Sequence, residues 1–166
     1  MNADTVFFSL YFLYNLLTNI SGEKVIPNGY GVKNYKGSTI ISLDISDGGL
    51  RATDSNQWIT LQSDIKNAEK NILIVMNGNL NDFDDDAEKQ LFIDALCDLR
   101  RKTGKNIWVI QNGDNTDYSM KRGIKYLSIT SDEYIEPNTE SIKNTNYIII
   151  TVNENKMTYE IKNVFK

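Results

Sequence analysis

Asn71-Ile-Leu-Ile-Val-Met-Asn-Gly-Asn79 sets five consecutive apolar residues ahead of two amides and a glycine. A run this apolar has no polar face to offer to water, so it reads as a strand covered on both sides. Strands of that kind belong to parallel or mixed sheets with helices packed over them. Such sheets present ligands just beyond the carboxyl ends of their strands, which is where Asn77, Gly78 and Asn79 stand. Asn106-Ile-Trp-Val-Ile-Gln-Asn-Gly-Asp114 repeats the pattern. With the helical segment between the two runs, this makes a βαβ unit in an α/β protein.

Working outward, two helices are predicted to cover the sheet. The first, over 55–69, has Asp54 as N-cap and Gln57 where a capping-box partner belongs. Trp58, Leu61, Ile65 and Ala68 fall on one face at spacings of three and four residues. The second, over 85–103, follows the acidic run Asp82-Phe-Asp-Asp-Asp-Ala-Glu88 and carries Ala87, Leu91, Phe92, Ala95, Leu96 and Leu99 as its apolar stripe. It ends on Arg100-Arg101-Lys102 before Gly104. Acid at the start and base at the end suit the helix dipole, so the acidic run is a cap and a solvated first turn. A calcium loop would need an ordered Asp-x-Asp-x-Asp-Gly spacing that is missing here. Trp58, Leu61, Leu91, Leu96 and Leu99 are expected to lie buried against the sheet.

The remaining strands are predicted at 5–10, 24–28, 38–45, 124–129, 147–152 and 156–162, with a helix over 11–20. Lys24 to Tyr30 stops at Pro27 and turns on Asn28-Gly29, and Ser38 to Ile45 is closed by Asp47-Gly48-Gly49. Residues 117–122 read as a polar loop and 131–144 as a surface connection. Tyr147-Val152 and Lys156-Ile161 alternate across Asn153-Glu-Asn155, a hairpin signal.

Composition narrows the function classes. A chain of 166 residues fits one domain with a sizeable core. With 18 basic and 22 acidic side chains it has no general electrostatic case for nucleic acid. Cys97 has no partner for an internal disulfide and reads as a small core or boundary residue; it leaves the compartment undecided. Val6 to Ile20 is too short and too polar for a membrane span, and without a preceding Lys or Arg it is no signal peptide. Nucleophilic catalysis lacks its usual base, because the chain has no histidine.

The order of these motifs resembles the C-terminal two-thirds of the calcineurin-like (purple-acid-phosphatase-type) metallophosphoesterases. Its most specific part is Ile41-Ser-Leu-Asp44, then Gly48-Gly49, then Asp54-Ser-Asn-Gln-Trp-Ile-Thr-Leu61, similar to the family's strand ending in Asp and its Gln-Trp-x-x-Leu helix. Lys24 to Tyr30, Leu73 to Gly78 and Val109 to Asn115 stand where that family has strands ending in Gly-Asn-His, a metal-binding His and Gly-His-x-His. The resemblance implies mixed sheets covered by helices, in a three-layer or four-layer sandwich closed by a C-terminal β-hairpin. It covers roughly Asp4 to Phe165 and implies a single domain over 1–166, with no counterpart of the family's opening Asp-x-His strand before Asp4.

The family holds two metal ions through His, Asp and Asn and uses them to make a hydroxide nucleophile. The equivalent positions here are Asn28, Asn77, Asn112 and Asp114, and amide oxygens are weak ligands for zinc, iron or manganese. The chain is most like the degenerate copies of this domain in cell-envelope proteins of low-GC Gram-positive bacteria. That likeness implies a non-catalytic, surface-located module with no cofactor and no bound metal. Its partners would be other domains of the same polypeptide or a cell-wall polymer.

The candidate ligand-facing rim is Asn28, Asn77, Asn79, Asn112 and Asp114. Asn-Gly pairs are also common turn formers, so Asn28-Gly29, Asn77-Gly78 and Asn112-Gly113 have a second reading as plain strand exits. Two other functions stay open. One is a reduced-site phosphoesterase holding a single magnesium or calcium ion through Asp44, Asp114 and the rim amides. The other is a carbohydrate or small-molecule binder with Trp108, Tyr118, Tyr126 and Tyr134 as stacking groups.

Overall fold

The computed structural model describes residues 4–8, 29–35, 37–113, 116–130, 146–153 and 156–163. In order, these form β1 (Asp4–Phe8), β2 (Gly31–Tyr35), β3 (Ser38–Leu43), α1 (Leu50–Asp54), α2 (Asn56–Asn67) and β4 (Asn71–Met76). They continue with α3 (Asp86–Thr103), β5 (Asn106–Gly113), β6 (Asp117–Lys121), β7 (Ile124–Thr130), β8 (Asn146–Asn153) and β9 (Lys156–Asn163). A 3-10 turn over Leu80–Asp82 lies between β4 and α3. The expected strand 24–28, helix 11–20 and connection 131–144 fall outside the described residues. Among those described, no helix is long and apolar enough to cross a membrane.

Two sheets result. The larger has the order β2-β3-β4-β5-β7-β6, with β3, β4, β5 and β7 parallel and the two edge strands antiparallel to their neighbours. The smaller is antiparallel, β1-β8-β9, and contains the C-terminal hairpin.

The uninterrupted apolar runs are explained by what covers each face. On one face Ile41, Ile72, Ile74, Met76, Ile107 and Val109 meet Leu61 and Ile65 of α2 and Phe92, Leu96 and Leu99 of α3. On the other, Ile40, Leu73, Val75, Trp108, Ile110 and Leu127 meet Ile148, Ile150 and Val152 of the small sheet. All six residues of β4 are therefore buried. With each such aliphatic side chain worth about 1.5–3 kcal/mol on burial, register in these strands is strongly held, since a slip by one residue would exchange the two faces. The described residues thus form three layers: helices, mixed sheet, antiparallel sheet.

Four sequence expectations are corrected. Leu91 is 54% exposed, whereas Ile93 is buried: the inner face of α3 follows Glu88, Phe92, Leu96 and Leu99, and Leu91 lies a step of about 100° around the helix from it. Trp58 is only partly buried, packing on the edge of the helix-side core. The first helical segment starts at Leu50, earlier than expected, and is interrupted at Ser55; Asp54 ends α1, and its Oδ1 still accepts from the N–H of Asn56, the first residue of α2, at 2.9 Å. Residues 117–121 are a strand, β6, not a loop. Tyr118 and Met120 alternate with polar neighbours there, and Arg122-Gly123, with φ of 50° and 83°, makes the two-residue turn into β7.

Candidate functional site

Parallel register aligns the carboxyl ends of the three central strands. Leu43 pairs with Met76 and Val75 with Ile110, so the next positions bring Asp44, Asn77 and Asn112 into one row. By alternation, this row faces the side of the smaller sheet, above Ser42, Val75 and Ile110.

Hydrogen bonds tie the row together. Asn77 donates from Nδ2 to Asp44 Oδ1 at 2.7 Å, and its Oδ1 accepts from the Ile45 N–H at 2.8 Å. Asn112 Nδ2 donates to the Asn77 carbonyl at 2.9 Å, while the Asn112 N–H reaches the Gly78 carbonyl at 3.1 Å. Each bond contributes about 0.5–1.5 kcal/mol net, and together they fasten the ends of β3, β4 and β5. Among the described residues, Asn112 Oδ1 is buried without a partner, as is Gln111 Oε1, whose Nε2 donates to Ser128 Oγ at 3.0 Å.

Asp44 is fixed through its backbone as well as its carboxylate. Gln57, 1% exposed, accepts from the Asp44 N–H at 2.9 Å and donates to the Asp44 carbonyl at 2.8 Å, in the manner of a neighbouring strand. The Ser46 N–H donates to Asp44 Oδ1 at 3.0 Å. Burial pushes the Asp44 carboxyl upward, but the hydrogen bonds from the Ser46 backbone, the Ser46 hydroxyl and Asn77 outweigh it, and the net shift is below the ordinary carboxylate value. The adjacent Trp58 donates its indole N–H to Glu88 Oε1 at 2.7 Å, and the same oxygen accepts from the Arg51 N–H at 2.8 Å. Glu88, 3% exposed, therefore caps α1 from another element. A side chain at Gly49, where φ is 154°, would stand 2.6 Å from Glu88 Oε2. The sequence pointed to Gln57 as a capping-box partner and to Glu88 as part of a solvated first turn; both are instead buried and bind the backbone of other elements, Asp44 and Arg51, partners that no local motif carries.

The other expected rim residues sit differently. Asn79 is turned away from the row and caps the 3-10 turn: its Oδ1 accepts from the Asn81 N–H at 2.7 Å and its N–H donates to Asp82 Oδ2 at 2.7 Å. Gly78 permits this approach, since a Cβ there would lie 2.7 Å from Asp82 Oδ2 and 2.9 Å from Ile45 Cδ1. Asn28 and Asp114 lie outside the described residues. Their chain neighbours reach the rim: a Cβ on Gly29 would stand 4.0 Å from Asp44 Oδ2, and Gly113 ends β5.

As a donor set, the described row does not fit a pair of divalent cations. It offers one carboxylate, Asp44, with one oxygen already accepting two hydrogen bonds, and the Asn77 amide is engaged at both ends. Among the described residues no three His, Cys, Asp or Glu side chains are grouped to hold a metal. Of the candidate stacking groups, Trp108 and Tyr126 are core residues and present no open ring face. Tyr118 is partly exposed and stacks on Tyr159 with centroids 5.7 Å apart, and Tyr134 lies outside the described residues.

The class these features define is an α/β sandwich: a six-stranded mixed sheet between helices and an antiparallel sheet carrying a C-terminal hairpin. No protein-family model and no curated protein matches the sequence. A solved structure described as GAP50, the anchor in the inner membrane complex of Plasmodium, is similar, with a TM-score of 0.53 at 11% identity. The match covers 86% of this chain and 53% of that one, so the chain spans about half the length of its structural neighbour. At that identity the likeness carries the fold alone.

Proposed function

We propose that this chain is a non-catalytic, metallophosphoesterase-like module serving binding or architecture within a larger, cell-envelope-associated bacterial protein. The observation that carries the reading is the row Asp44–Asn77–Asn112. Where the resembling family sets imidazoles and carboxylates around two metal ions, this chain sets amides, and those amides bind one another's strands. A dinuclear site needs about six or seven side-chain ligands, mostly imidazole and carboxylate, with a position left open for water. Asn77 and Asn112 carry no charge and do not protonate near neutral pH, so they offer neither the electrostatics nor the general acid that a phosphoester leaving group requires. The GAP50 neighbour is described as an anchor, which is an architectural role; the fold likeness is compatible with that use and does not transfer it.

The test uses the untagged chain, dialysed against manganese, zinc and iron, with bound metal measured beside turnover of an aryl phosphate and an aryl phosphodiester. The expected result is substoichiometric metal and no turnover above the buffer rate. Near-stoichiometric metal with turnover that Asp44→Ala or Asp114→Ala abolishes would instead establish the reduced-site enzyme.

A further inference from the structure

The chain contains four arginines, and three of them, Arg100, Arg101 and Arg122, line a single groove of about 510 Å3. Asp94, Cys97 and Asp98 complete it, and no lysine contributes to its lining. The groove lies between the last turns of α3 and the turn joining β6 to β7. Because α3 runs back to the start of β5, this is the amino end of the parallel strands, opposite the Asp44 row at their carboxyl ends, and nothing about the groove depends on the reading of that row.

Two of the arginines are engaged with groove carboxylates: Arg101 pairs with Asp98 and Arg122 with Asp94. Both pairs are well exposed, with at least 45% of each side chain open to solvent, and such pairs exchange partners at little cost. Arg100 has no carboxylate partner among the described residues. Its guanidinium lies over Gly123, where a Cβ would stand 2.8 Å from Arg100 Cζ. The helix dipole accounts for base at the end of α3. It does not account for Arg122, which comes from another element and holds φ at 50°, a left-handed backbone that residues with a Cβ seldom adopt. Burial raises the Cys97 thiol, so it adds no negative charge to the groove at neutral pH.

We propose that this groove binds the phosphoryl group of a phosphomonoester, with Arg100 as the uncommitted fork and Arg101 and Arg122 turning from their aspartates to the ligand. Planar guanidinium forks match oxyanions in bidentate geometry. A ligand carboxylate would offer Arg101 and Arg122 nothing that Asp98 and Asp94 do not already supply. A dianionic phosphoryl group carries more charge and three acceptor oxygens, and so displaces those aspartates.

The full chain is titrated with inorganic phosphate, and separately with acetate at matched ionic strength, while backbone amide resonances are followed. The proposal predicts saturable phosphate binding with a dissociation constant of about 1 mM or tighter. Shifts should be centred on Arg100, Arg101, Arg122 and Gly123, while the amides of Asn77 and Asn112 stay in place. Arg100→Gln should weaken binding by about tenfold or more, and Arg122→Gly, which relaxes the turn, should weaken it while the spectrum stays dispersed. Co-sedimentation with phosphatidic acid vesicles but not with phosphatidylcholine vesicles would assign the phosphoryl group to a lipid headgroup; its absence, beside phosphate binding, would assign it to a soluble ester. Equal response to acetate, no saturation, or wild-type binding by Arg100→Gln would overturn the proposal.

Discussion

Gln57 uses both ends of its side-chain amide on the backbone of Asp44, and Asn77 uses both ends of its own on Asp44 Oδ1 and the Ile45 N–H. Burial raises the Asp44 carboxyl, but hydrogen bonds from the Ser46 backbone, the Ser46 hydroxyl and Asn77 outweigh it and leave the pKa lowered. A carboxyl whose folded pKa lies below its unfolded value stabilises the fold above about pH 4, and that contribution is lost as pH falls through the folded value. Asp44→Asn removes the titrating group. Urea midpoints compared between pH 7 and the acid limb should therefore show the wild-type advantage over Asp44→Asn shrinking below about pH 4. An advantage that grows on acidification would contradict the assignment. The positions of Asn77 and Asn112 at strand ends were legible in the sequence, because apolar runs end where polar residues begin. Their partners were not, since pairing Asp44 with Asn77 requires the register of two strands 33 residues apart.

At the scale of elements, α3 shows why a hydrophobic stripe is read only to within one helical step. Leu91 and Phe92 are adjacent and both apolar, so composition alone does not choose which of them the sheet covers; the position of Glu88 against Trp58 and Arg51 selects Phe92. Leu96→Ala, at a fully buried site, should cost roughly 2–5 kcal/mol, whereas Leu91→Ala on the exposed side should stay within about 0.5 kcal/mol. Denaturant titration of the two variants checks the pair, and equal losses would mean that the helix face is wrongly assigned. The missed starts have the same origin. α1 begins at Leu50 because Glu88 accepts from the Arg51 N–H across 37 residues of chain, and no local capping pattern carries that information. β6 escaped notice because Asp117-Tyr-Ser-Met-Lys121 alternates over only five residues, all of them exposed.

For the whole molecule, the central βαβ unit and the hairpin were readable because burial on both faces and period-two alternation leave direct marks in residue order. The antiparallel sheet packed against the mixed one was less so: whether β4 is covered by helices on both faces or by helices and a sheet leaves the same apolar run. What unites the two levels is the polar row, which joins the ends of three parallel strands. If that row is structural, its central residue belongs to the stability of the fold, and the most direct measurement is the unfolding free energy of Asn77→Ala from urea titration at neutral pH. Losing its bonds to Ile45 and Asp44 predicts a cost of roughly 1–3 kcal/mol, the same with and without added manganese. A cost below about 0.5 kcal/mol, together with a wild-type stability that rises on adding manganese and an Asn77→Ala stability that does not, would show that the row holds a ligand and not the strands.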